Sequence, residues 1–166
     1  MRFHSLTILS LAALVALAGC ANKKNKQYAG VDGDYVSGTP LGERTEGVNF
    51  LGANVQRGQY AAVQFAYDSS SVGSDQESKI DAVANALKGS GKTVIVAGFT
   101  DERGTQEYNR SLGEKRALAV REALIAKGLQ ANSIQTVSFG AEMPVDPASN
   151  EAAWTKNRRA EFGIVK

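Results

Sequence analysis

Hydrophobic periodicity in this chain begins at about Gln59 and continues to Lys166, whereas residues 21–58 hold no sustained period. A packed core must therefore come from about 108 residues (166 − 58), enough for one domain and too few for two large ones. Within that stretch Tyr60–Tyr67 reads as a strand, closed by the turn Asp68-Ser69-Ser70-Ser71. Ser74-Asp75-Gln76-Glu77 has the pattern of a capping box and opens a helix whose Ile80, Val83, Ala84 and Leu87 share one face. Gly89-Ser90-Gly91 stops it, and the β-branched run Thr93–Phe99 predicts a buried strand. After polar Thr100–Gln106, a long helix with core stripe Ala117, Val120 and Leu124 runs to Lys127, with Gly128 as its stop. Ser133–Phe139 is a third strand, 140–150 a loop with Pro144 and Pro147, Glu151–Lys156 a helical turn and Arg159–Val165 a fourth strand. The order βαβαβ(α)β predicts an α/β fold with helices over one face of a single sheet.

The N-terminal residues have a different character. Arg2 precedes an apolar run from Leu6 to Ala18, interrupted by Thr7 and Ser10, which is short for a membrane span and fits an export signal. The run ends in Leu17-Ala18-Gly19-Cys20, which resembles a bacterial lipobox. This divides the chain into a signal peptide at 1–19, a lipidated Cys20 with a flexible tether over 20–58, and a domain at 59–166. Acyl chains on Cys20, each contributing about 0.8 kcal/mol per buried CH₂, would hold the protein on a membrane. Ala21 rather than Asp follows the cysteine, which by resemblance to lipoprotein sorting points to the outer membrane and its periplasmic face. The tether, rich in Gly, Asn and Lys, would span on the order of 35 Å as a coil and on the order of 130 Å when stretched. Val48–Val55 is expected to pack on the edge of the domain.

The first twenty residues hold the one His, His4, and the one Cys, Cys20. The domain is thus left without imidazole or thiolate, which excludes Ser-His-Asp triads, cysteine nucleophiles and His/Cys zinc sites. There is no Ser-x-x-Lys motif either. A formal net charge of +2 gives no support for binding nucleic acid by bulk charge. No metal or cofactor is expected.

Polar residues are densest in GFTDERGTQEYNRSLGEKRALAVR, Gly98–Arg121. Asp101 follows the buried strand at its C-terminal end, where α/β sheets tend to bind ligands. Asn109, Leu112 and Arg116 are spaced by three and four, so one helical face can present all three. Asp101 and Arg116 could flank a common pocket. An aspartate accepting from an ammonium and an arginine fork facing a carboxylate suit an amino-acid head group. On spacing alone, a structural Asp–Arg salt bridge or a solvated helix face is the commoner meaning of such a pair.

VQFAYDSSSV (63–72), GFTDERGTQEYNRSLGEKRALAVREAL (98–124), IQTVSFGAEMP (134–144) and NRRAEF (157–162) resemble the OmpA-like peptidoglycan-binding domain family. With its lipobox and tether, the chain is similar to the lipoproteins of that family. The resemblance implies a single OmpA-like domain, with a four-stranded mixed sheet and helices packed on one side. It implies non-covalent binding of the diaminopimelate residue in the peptidoglycan stem, with Asp101 and Arg116 on the family's ligand positions. Thr100, Asn109 and Leu112 match positions that shape the pocket, Phe65 matches a wall position, and Arg158 matches a motif position near it. It also implies that the same surface binds the periplasmic propeller protein TolB, within a Tol-type envelope system concerned with the cell envelope and cell division. Two positions depart from the pattern: Phe99 stands where the family usually has His, and Ala66 where it often has Asp, with Asp68 retained two positions on.

Other readings compete. A scaffold for TolB-like partners with little wall binding is the main alternative. A glycan hydrolase would need a carboxylate pair from Asp101, Glu102 and Glu107, residues that sequence alone leaves as a solvated loop. A flagellar-stator type of anchor conflicts with the lipobox and with the lack of any later hydrophobic span. The chain is expected to bind rather than catalyse.

Overall fold

The computed structural model describes residues Asn49–Lys166. The export segment, Cys20 and the tether as far as residue 48 lie outside the described residues. The elements run β1 (Val55–Arg57), β2 (Val63–Gln64), α1 (Glu77–Leu87), β3 (Val94–Phe99), α2 (Gln106–Ala126), β4 (Ile134–Gly140), α3 (Glu151–Asn157) and β5 (Arg159–Val165). They form a mixed sheet ordered β1-β5-β3-β4, with β2 also on β5. β3 and β4 are parallel across the α2 crossover, and β5 runs antiparallel to β3.

The expected α/β architecture is present, with five strands rather than four. The added strand, β1, lies in the stretch read as tether. It pairs Val55–Arg57 with Gly163–Val165, while β2 pairs Val63 and Gln64 with Ala160 and Arg159. Both therefore share one edge of β5. That sharing explains why the first expected strand, Tyr60–Tyr67, shrinks to two residues: the far half of its partner is already occupied. The capping box also differs. Ser74–Gln76 is a 3₁₀ turn, and α1 starts at Glu77 with no side-chain cap. Gln76 instead accepts from the Gln64 backbone N–H (2.9 Å) and the Lys79 ammonium (2.8 Å), so it fastens β2 to α1.

Alternation along β3 divides the core. Val94 and Val96 join Ile80, Val83, Val120, Leu124 and Phe162 beneath the helices. Ile95, Ala97 and Phe99 face the other way and pack with Phe50 and Val55. α2 begins at Thr105, whose hydroxyl accepts from the Tyr108 N–H (3.2 Å). It ends in paired bonds from Gly128 N–H to the Ile125 carbonyl and from Leu129 N–H to the Leu124 carbonyl, the arrangement a glycine after the last turn permits.

One close approach sets the position of α2 over β3. A Cβ on Gly98 would fall within 1.9 Å of the Gly113 carbonyl oxygen, and one on Gly113 within 2.3 Å of Ser138 Oγ. Two glycines thus let helix and strand backbones touch. The contact lies between Asn109 and Arg116 on the helix and directly before Thr100 and Asp101 on the strand.

Candidate functional site

The chain leaves the C-terminal end of β3 at Thr100, whose N–H donates to the Gly140 carbonyl (2.8 Å). Beside it lies a cavity of about 160 Å³, walled by Thr100, Asp101, Asn109, Leu112 and Arg116, with Asp68, Tyr67, Arg103, Gly104 and Tyr108 toward the rim. Five of the residues singled out by sequence thus line one space. Phe65 and Arg158 do not line it and lie behind it.

Arg116 is wholly buried. Its Nη1 donates to the Phe99 carbonyl (2.8 Å), Nε to Ser69 (2.8 Å) and Nη2 to Ala66 (3.2 Å). Its guanidinium lies 5.2 Å from the Phe65 ring centroid. Phe65 therefore serves as the surface beneath the guanidinium. Burial lowers the Arg116 pKa to about 10, with the charge of Asp101 opposing that fall. The side chain joins the loop after β2 to the end of β3, and among the described residues two of its five N–H donors are left unused.

Asp101 is almost as deeply buried. Its Oδ1 accepts from the Arg103 N–H (3.1 Å) and Nε (3.2 Å), and its Oδ2 accepts from Arg103 Nη2 (2.8 Å) and Arg158 Nη1 (3.4 Å). Burial acts to raise its pKa, but these bonds and the neighbouring Arg103 charge outweigh that and hold the carboxyl below its ordinary value. Arg158 also donates to the Phe65 carbonyl (3.1 Å) and the Thr155 hydroxyl (2.9 Å). It ties Asp101 to β2 and α3 from the side away from the cavity.

The Thr100 hydroxyl is buried with no hydrogen-bond partner among the described residues. The acids and cations of the wall are not limited to the expected pair. Asp68 is the one non-glycine among the described residues with a left-handed backbone (φ 52°). Its carboxylate accepts from the Tyr108 hydroxyl, and that bond raises the Tyr108 pKa. Arg103 is clamped between the Tyr67 and Trp154 rings, 4.1 Å from each centroid. Asp101, Asp68, Arg116 and Arg103 thus place two negative and two positive groups around one cavity. That balance favours a ligand carrying one charge of each sign over a simple anion or cation.

Arg103, Tyr67 and Tyr108 line the cavity without being marked out by the sequence as site residues, and Asp68 is marked there only as a retained position of the family pattern. Arg103 lies inside the polar run that drew attention to Asp101, so a local signal was present. Its aromatic partners are distant in sequence and gave none. Phe99, one of the two departures, turns its ring away from the cavity onto Phe139 (5.3 Å, stacked) and Phe50 (6.4 Å). Only its carbonyl serves the site. The same holds for Ala66, whose side chain is exposed and whose carbonyl accepts from Arg116.

Among the described residues no group of three or more His, Cys, Asp or Glu is placed to hold a metal ion. No helix among them is long and apolar enough to cross a membrane.

Comparison with known proteins places these features in context. The profile of the OmpA family matches residues 64–158. The chain is 36% identical to the peptidoglycan-associated lipoprotein of Pseudomonas aeruginosa, over 98% of this chain and 97% of that one. It is 42% identical to the protein of the same name from Pasteurella multocida, over 92% and 93%. The crystal structure of the peptidoglycan-associated lipoprotein from Burkholderia pseudomallei superposes with a TM-score of 0.60 at 41% identity, covering 62% of this chain and 88% of that one.

Proposed function

The chain belongs to the OmpA family and, within it, to the peptidoglycan-associated lipoproteins; from that premise we propose that it holds a membrane to the cell wall by binding the peptidoglycan stem peptide without covalent chemistry. The observation that carries this reading is the meeting of Asp101 and Arg116, with Thr100, Asn109 and Leu112, around one cavity whose wall is balanced in charge. The free end of diaminopimelate, with an ammonium and a carboxylate on one carbon, is a ligand of that kind. Its carboxylate faces the unused N–H groups of Arg116. Its ammonium faces the acid side, where Asp68 has lone pairs to offer and Asp101 must share those now held by Arg103.

Cys20, lipidated, would anchor the chain on the periplasmic face of the outer membrane, with the tether bridging to the wall. Many weakly bound copies can secure a membrane, because anchoring keeps each released domain beside its next site. The acid role of a glycan hydrolase does not fit Asp101 or Glu102. A glycan hydrolase needs an acid with a raised pKa, whereas Asp101 is lowered as described. Glu102 is lowered too, chiefly by hydrogen bonds from Ser149 and Trp154.

Sedimentation with purified sacculi tests the reading. Asp101→Ala and Arg116→Ala are each expected to weaken binding by on the order of 2–3 kcal/mol, the scale for truncating one partner of a buried charged contact. If both variants co-sediment like the unmodified protein, the cavity is not the wall site. A TolB-like partner is a second reading, favoured by Tyr67 and Tyr108, 61% and 49% exposed beside the cavity mouth. Competition between such a partner and wall fragments separates a shared surface from two independent ones.

A further inference from the structure

Resting on that reading of the cavity, we infer that Arg103 is a specificity-determining residue at its mouth, selecting ligands with a free carboxylate over those with a carboxamide. The two guanidinium groups lining the space are unequal. Arg116 is fully buried and holds three backbone carbonyls, so it is largely committed to the fold. The Arg103 side chain keeps 29% of its surface exposed. Among the described residues its side chain donates only through Nε and Nη2, both to Asp101. Three of the five N–H donors of a guanidinium are left. The nearest acid to Nη1 is Glu151 at 3.7 Å, an exposed side chain beyond hydrogen-bond range.

The same environment fixes where those donors point. The guanidinium carbon lies 4.1 Å from the centroids of both the Tyr67 and the Trp154 ring, and two bonds to Asp101 hold its orientation. A cation held this way loses little freedom when an anion arrives. Asp101, in turn, has each oxygen engaged twice. Its accepting capacity of about four bonds is filled, so its main effect on an incoming carboxylate is exerted through Arg103. A carboxylate entering the cavity meets Arg103 at the rim and the two remaining Arg116 donors at the floor. A carboxamide in the same place presents its own N–H groups to these donors on one side and forms no charge-assisted bond.

The experiment is calorimetry of the full chain, lipid-free, against two probes: a stem tripeptide ending in diaminopimelate and the same peptide with that terminal carboxylate amidated. Arg103→Met keeps a linear apolar stem between the two rings, and thermal unfolding checks that it folds. The unmodified chain is expected to prefer the acid by at least tenfold. Arg103→Met should lose most of that preference, with acid and amide binding within about threefold of each other, and Arg103→Lys should recover only part of it. A variant that weakens both peptides equally, keeping the preference, would show that Arg103 only props up Asp101 and would overturn the inference. Equal binding of both probes by the unmodified chain would overturn it as well. Failure of the unmodified chain to bind either peptide would instead sink the assignment of the cavity to the stem.

Discussion

Helix α2 buries two arginines, and they behave differently. Arg121, 1% exposed, donates to the Ala131 carbonyl (3.2 Å), more weakly to Ile134 (3.4 Å), and to the exposed Glu122 carboxylate (3.1 Å). It closes the seam between α2 and the start of β4. Arg116 closes a seam too, between α2, the loop after β2 and the end of β3. The habit of using a guanidinium to gather orphan carbonyls is the same in both. What sets Arg116 apart is its surroundings: a cavity on one side, a second guanidinium and two carboxylates within the same wall. Burial of an arginine is therefore no sign of a site, and charge company around open space is.

The largest expected effect breaks the two residues apart. Arg116→Met and Arg121→Met should each lower folding stability, because several carbonyls lose their donor, at about 1–3 kcal/mol for each group left unsatisfied. Arg116 holds the shorter bonds, and all three go to backbone carbonyls, so we expect on the order of 3 kcal/mol or more there and about 1–2 kcal/mol less at Arg121. Only the Arg116 variant should also lose wall binding. Urea unfolding gives the first comparison, and sacculus sedimentation on the fraction that stays folded gives the second. Equal loss of wall binding at both positions would mean that binding merely follows stability.

A smaller effect sharpens the comparison from the strand side. Phe99 supplies one of the two carbonyls that Arg116 holds at 2.8 Å, while its ring belongs to the opposite face of the sheet. There it stacks on Phe139, and Arg159 lies 3.8 Å from its centroid. Phe99→His should cost about 1–2 kcal/mol through lost aromatic packing and a buried imidazole beside a cation. Affinity for the stem peptide should change less than twofold. A several-fold change in affinity would show that the ring, and not only the backbone, reaches the site.

The same division between side chain and backbone decides what the sequence made legible. The stripes of α1 and α2 and the strand β3 could be read because their apolar spacing repeats over two turns or more. Asp101 and Arg116 could be placed together because one strand end and one helix face are enough to bring them near. β1 could not be read: three residues with a single buried side chain, Val55, carry no period. Phe50 lies in the stretch 48–55 expected to pack on the domain edge, and it does so by covering the second face of the sheet with Val55. The clamp on Arg103 requires two rings from the two ends of the domain, an arrangement that exists only once β2 and α3 are folded against the loop after β3. Ala66 and Phe99 looked like departures because side chains were compared where carbonyls do the work.

The smallest effect concerns acid, and it separates Arg116 from Arg121 by their neighbours. Asp101 has a folded-state pKa below its ordinary value of 3.8. Ionised, it is bonded by Arg103 and Arg158, and its stabilising contribution is therefore complete above 3.8 and is lost as pH falls through the lower folded-state value. Arg121 has no buried acid as partner, since Glu122 is exposed. The stability difference between the unmodified chain and Asp101→Asn should thus stay level from about pH 7 to pH 5 and shrink toward zero in the lower acid range. Urea midpoints for the two proteins across that span measure it. A difference that grows on acidification would mean that Asp101 is protonated in the folded protein near neutrality, and the charge balance of the cavity would have to be redrawn with one negative group fewer.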